Sequence, residues 1–201
     1  MEYGEPNRGP EPLDKRMAMT AHHEAGHIVV AVHCGIGLRP EGIMLDSQAA
    51  GLACYCKEPE DSDGPREKII VSTFAGHMAQ HRFCKERSYP LRGYLEIIFS
   101  PDWKEARGIM TKLSKEYWAG RSPDAVQKAL EEQSASAVEQ NWGTIQRVAS
   151  ALLARAWEPV KPLKSGKEWS EQSEAKYLIG EEVVAICLYA VSRRAFRIAE
   201  G

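Results

Sequence analysis

His23-Glu24-Ala25-Gly26-His27 runs directly into Ile28-Val29-Val30-Ala31-Val32. No other stretch constrains the fold as strongly. No proline interrupts the segment from about Asp14 to Cys34, Asp14 offers an N-cap, and Gly35 and Gly37 supply a stop. A helix is predicted there. Its second half is apolar around most of its circumference, and a helix of that kind sits inside a protein. The histidines just upstream are carried inward with it.

The spacing i, i+4 puts His23 and His27 on one helical face, close enough to share a metal ion. Imidazole nitrogen suits zinc. Glu24 lies beside the pair. Zinc lowers the pKa of a water towards about 7, so a carboxylate placed there can take its proton at neutral pH. The alternative is a pair of structural core histidines. Gly26 in mid-helix costs about 1 kcal/mol relative to alanine, a cost that a close backbone approach by another element would explain. A zinc hydrolase needs a third protein ligand and an open fourth position. No His or Glu follows at short spacing, so the third ligand must come from further along.

The 201 residues suit one domain. A chain of this size buries roughly 70% of its unfolded surface. A formal net charge of −2 speaks against a nucleic-acid binder or a polybasic membrane-surface protein. No apolar run approaches the roughly 20 residues that span a bilayer. Five scattered cysteines read as free thiols in a reducing compartment, and Met1 to Arg16 lacks the apolar core of a secretory signal. The expectation is a cytoplasmic protein with a flexible tail over residues 1–13 and one domain over residues 14–201.

Two short strands are expected, Gly42 to Asp46 and Gly51 to Lys57, with a turn starting at Asp46-Ser47-Gln48. A second helix should start after Asp63 and run to about Cys84, followed by a mixed stretch from Lys85 to Phe99. Ser100-Pro101-Asp102 and Ser122-Pro123-Asp124 are both helix starts, with serine as N-cap and proline at the first helical position. The first continues through Trp103, Ala106, Met110, Leu113 and Tyr117 at helical spacing. The second opens a helix to about Trp157, with Gly143 as a point of interruption. A last helix is expected over Gly180 to Ala199. The fold class is mainly α with a small β-sheet.

Thr20 to Ala31 resembles the zinc helix of the FtsH family of ATP-dependent zinc metalloproteases, which carries A-x-H-E-A-G-H-A. Arg39 to Cys56 resembles that family's strand–turn–strand segment. Phe74-Ala75-Gly76-His77-Met78-Ala79 resembles its L-G-G-R-A-A helix. Ser100 to Ala106 resembles its S-N-D-L-x-x-A segment, and Ala149 to Ala154 and Leu178 to Ile186 resemble its closing helices. The resemblance spans about residues 17–190. It implies a zincin-like FtsH-type peptidase domain, with Asp102 as the third zinc ligand beside His23 and His27. A first-turn carboxylate favoured by the helix dipole is the plainer reading of Asp102, and both can hold. Departures are His77 at the family's arginine, Ala75 at a glycine, and no P-loop, so no ATP chemistry is expected of the chain.

The expected function is a Zn²⁺-dependent metalloendopeptidase acting on unfolded or short polypeptides, with Glu24 as general base. Its expected partners are a polypeptide substrate and either further copies of itself or a separate ATPase. The alternative is a catalytically inactive metal-binding module that associates with other proteins. The strand at Gly51 to Tyr55 is the expected edge for a substrate backbone. His77 and His81, also i, i+4, read as a helix face lining the cleft or as surface in preference to a second metal site. His22 points about 100° away from the ligand face. His33, Cys54 and Cys56 read as structural.

Overall fold

The computed structural model describes residues 11–56, 63–89, 100–160 and 174–199, with side chains up to residue 189. It contains α1 (Leu13–His33), β1 (Leu38–Asp46), β2 (Gly51–Tyr55), α2 (Asp63–Arg87), α3 (Pro101–Met110), the one-turn α4 (Lys115–Trp118), α5 (Pro123–Leu153), β3 (Glu158–Pro159), β4 (Glu174–Leu178) and α6 (Gly180–Ala199). The chain is mainly helical with one small four-stranded sheet of order β2-β1-β4-β3, antiparallel throughout. Among the described residues no helix is long and apolar enough to cross a membrane.

The apolar half of α1 is the centre of the core. Ile28, Val30 and Ala31 are fully buried and Val29 nearly so. Full burial of a side chain such as Ile28 contributes about 1.5–3 kcal/mol. The helix is covered by α2, α5 and the sheet. The approach of α2 is closest at Gly26, where an added Cβ would lie 2.6 Å from the Ala75 carbonyl oxygen and from Ala79 Cβ. The mid-helix glycine expected to mark a close crossing does so.

Both serine–proline signals are used. Ser100 Oγ accepts from Trp103 N–H and Ser122 Oγ from Ala125 N–H, with Pro101 and Pro123 opening their helices. Trp103 packs against Phe74 at 4.8 Å between ring centroids, anchoring α3 on α2. The turn after β1 is also as expected. The Asp46 carboxylate accepts from the backbone N–H groups of Gln48 and Ala50.

Several boundaries differ from expectation. Pro12, with no side-chain cap, precedes α1, and Asp14 lies inside the first turn. There it opposes the positive end of the helix without capping it. β1 starts at Leu38, earlier than expected, with its pairing to β2 irregular between Leu38 and Ile43. β2 stops at Tyr55 and α2 runs on to Arg87. Leu113 and Tyr117 lie beyond the end of α3, Leu113 buried after it and Tyr117 in α4. α5 passes Gly143 unbroken and stops at Leu153, where Lys176 from β4 donates to the carbonyls of Leu153 and Arg155. β4 itself was not expected. Leu178 belongs to this strand, and the last helix starts at Gly180. The expected tail up to residue 10, the loop over residues 57–62 and most of the mixed stretch before Ser100 lie outside the described residues.

Candidate metal centre

Three helices converge at one point. α1 brings His23, Glu24 and His27, α2 brings Ser72, His77 and Gln80, and α3 brings Asp102 in its first turn. His23 Nε2 lies 3.0 Å from Asp102 Oδ2, and the Nε2 atoms of His27 and His77 each lie 3.5 Å from the same oxygen. His23 Nε2 and His27 Nε2 are 3.0 Å apart. His27 and His77 are buried, at 4% and 5% exposure, so water cannot shield these charges from one another.

Hydrogen bonds fix the ring orientations. His27 Nδ1–H donates to the Ser72 carbonyl at 2.9 Å, and His23 Nδ1–H donates to Gln80 Oε1 at 3.1 Å. Each bond fixes the tautomer of its imidazole and aims the Nε2 lone pair inward, as second partners of metal-binding histidines do. Gly76 lets α2 come this close. A Cβ there would stand 2.3 Å from His27 Nε2.

Two imidazole lone pairs and a carboxylate oxygen at about 3 Å repel one another unless a cation lies among them. In the metal-free chain that cation is a proton. Burial alone acts to lower the pKa of His27, but the Asp102 charge and hydrogen bond, with a further contribution from Glu24, raise it to about 9. Burial acts in the opposite sense on Asp102, yet the His27 charge and the hydrogen bonds from His23 and His27 hold its carboxyl well below the usual carboxylate range. A metal ion meets the same need. The donor atoms of His23, His77 and Asp102 lie within 4.8 Å of one another, and this buried group can hold a metal ion. Zinc bound tetrahedrally at about 2.0–2.1 Å sets neighbouring donors roughly 3.3–3.4 Å apart, and the separations of 3.0–3.5 Å here surround that value.

The group opens into a cleft of about 470 Å³ whose charged side chains, besides the histidines, are Glu24, Asp102 and Glu105. Glu24 is 7% exposed, yet among the described residues it has no hydrogen-bond or ion-pair partner. The facing wall is β2, the terminal strand of the sheet, with Gly51, Leu52, Ala53 and Tyr55 lining the cleft. At Gly51 a Cβ would stand 2.5 Å from Glu24 Oε1 and 2.7 Å from Thr20 Cγ2, so the strand fits against the carboxylate only without a side chain.

The expected ligands His23, His27 and Asp102 are thus brought together, and Glu24 lies beside them. His22 points away as expected. Its Nδ1–H donates to the Ala18 carbonyl, its ring stacks on Phe83 at 3.9 Å, and burial lowers its pKa. His77 lines the cleft and His81 is exposed, as expected, but His77 also lies in the donor group itself. The i, i+4 histidine spacing drew attention to the wrong pair. The better signal was the polar series Thr73, His77 and Gln80 at helical spacing among the apolar residues of the buried face of α2.

No family model matches the chain, and no curated protein matches it.

Proposed function

We propose that the protein is a zinc-dependent metalloendopeptidase of zincin-like type, with His23, His27 and Asp102 holding Zn²⁺ and Glu24 as general base. The observation that carries this reading is the Glu24 carboxylate. It is buried, lacks a protein partner among the described residues, and opens into the cleft beside the donor group. A structural metal site has no use for a carboxylate that opens into a cleft beside its ligands.

Bound at this centre, zinc would supply Lewis-acid polarisation of a carbonyl and a lowered water pKa. The chain's own residues do the rest. The Glu24 carboxylate accepts a proton from the attacking water as the water oxygen bonds to the scissile carbonyl carbon. The same carboxyl then delivers that proton to the leaving amine nitrogen. Ser72 and Gln80 keep the imidazoles of His27 and His23 aimed inward. The terminal strand β2 supplies backbone groups against which an extended peptide can lie, and positioning of this kind accounts for much of an enzyme's rate. The resemblance to FtsH-type peptidases supports the same ligands and base, and suggests unfolded or short polypeptides as substrates, with a separate ATPase or further copies of the chain as partners.

A second reading, a non-catalytic metal module that associates with other proteins, draws on His77, whose imidazole adds a further donor to the group. Metal analysis of purified protein with a fluorogenic peptide assay separates the two. The peptidase reading expects zinc-dependent cleavage that Glu24→Gln abolishes while zinc stays bound. Zinc without cleavage of any unfolded substrate would favour the module.

A further inference from the structure

The proposed mechanism uses three protein donors and leaves His77 without a task. Yet His77 is 5% exposed, its Nε2 lies 3.5 Å from Asp102 Oδ2, and its ring stands edge-on to His23 at 4.7 Å between centroids. Its donor atom meets the same spacing as those of His23 and Asp102. The same Nε2 lies 2.8 Å from Ser100 Oγ. Ser100 Oγ accepts from Trp103 N–H and can turn its own proton to His77 Nε2 when that nitrogen carries its lone pair. A nitrogen that accepts from a hydroxyl carries a lone pair, which is the form that binds a metal. His77 therefore has two alternative partners for one lone pair, the ion and the Ser100 hydroxyl.

We propose that His77 is an exchangeable fourth protein donor to the metal. With no substrate present, three imidazoles and one carboxylate fill the coordination sphere. When a substrate is present, the His77 imidazole turns to the Ser100 hydroxyl and leaves a position open. This inference rests on the metallopeptidase reading and deepens it, because it gives the centre a closed resting form. It also gives both His27 and His77 a place at a centre whose base needs an open position. A closed tetrahedral site is inert, and an open one is catalytic.

X-ray absorption at the zinc edge counts the imidazoles directly. The zinc-loaded protein should show three, and His77→Gln, which keeps a side chain able to bond Ser100, should show two. A hydroxamate, which chelates zinc only where coordination is open, should bind the His77→Gln protein at least about tenfold more tightly than wild type. His77→Ala should behave the same way, and either variant serves if the other fails to fold. A loss of zinc affinity alone would not distinguish a ligand from a hydrogen-bond partner of a ligand, because loss of such a partner already costs about 10–100-fold. The imidazole count does distinguish them. Two imidazoles in wild type, or equal hydroxamate affinity in wild type and both variants, would overturn the proposal and leave the peptidase reading standing. A wild-type protein that takes up no zinc would overturn both.

Discussion

The two halves of α1 are buried by different physics. From Ile28 to Ala31 every side chain is apolar and nearly or fully inaccessible, and any well-shaped apolar neighbour can cover it. From Thr20 to His27 each polar group needs a particular partner. Thr20 donates to the Ala49 carbonyl, His22 to Ala18, His23 to Gln80 and His27 to Ser72. Among the described residues only Glu24 breaks the series. The first kind of burial is a matter of volume. The second is a matter of address, and the one group without an address is the proposed base.

Substitutions should therefore act in different currencies in the two halves. Glu24→Gln should lower kcat by about 10²–10⁴-fold, the usual worth of a positioned general base, with zinc content and melting temperature unchanged. Steady-state cleavage of a fluorogenic peptide with metal analysis checks this. Ile28→Ala should do the reverse, costing about 2–5 kcal/mol of stability in urea unfolding while the folded fraction keeps its zinc affinity. An Ile28→Ala protein with normal stability and impaired metal binding would erase the distinction.

Gly51→Ala tests the border between the halves and the sheet. The added methyl meets Glu24 Cγ and Oε1 and also Thr20 Cγ2, so the base must be displaced and β2 must shift away from α1 with it. The expected result is about a tenfold or greater loss in kcat together with a lowered urea midpoint.

The smallest effect concerns pH. His27 has a folded pKa of about 9 against an ordinary 6.5. A raised pKa contributes stability that is fully present below about 6.5 and is lost as pH rises through about 9. Chelator-treated protein should thus lose melting temperature over that window. Zinc-saturated protein should lose less, because the ion replaces the proton. Parallel pH slopes for the two forms would show that the ion does not occupy this centre.

The apolar half of α1 and the helix starts at Ser100 and Ser122 were legible because their cause is local. A run of aliphatic side chains, or a serine–proline pair, specifies its own neighbourhood. The identity and spacing of His23, Glu24 and His27 were legible for the same reason. The company they keep was not. Gln80, Ser72 and His77 reach the centre from another helix, and nothing within α1 names them. The resemblance supplied Asp102 but pointed away from His77, where this chain departs from the family pattern. β4 stayed hidden because Glu174-Ala175-Lys176-Tyr177-Leu178 is built mostly of good helix formers, and pairing with β1 overrides that preference.

That pairing has a consequence for how the molecule is made. β4 lies between β1 and β3, with Leu178 opposite Ile43. The centre of the sheet therefore joins an early part of the chain to a late one. Contacts of such separation form slowly, because the intervening loop must close before they contribute. On the ribosome, α1, α2 and the pair β1–β2 emerge long before the strand that completes them. The inner edge of β1 must wait unpaired, while the histidines and Gln80 can already meet. The chain can thus assemble its chemistry before its sheet is closed, and the interval between the two is the stage most exposed to misassociation.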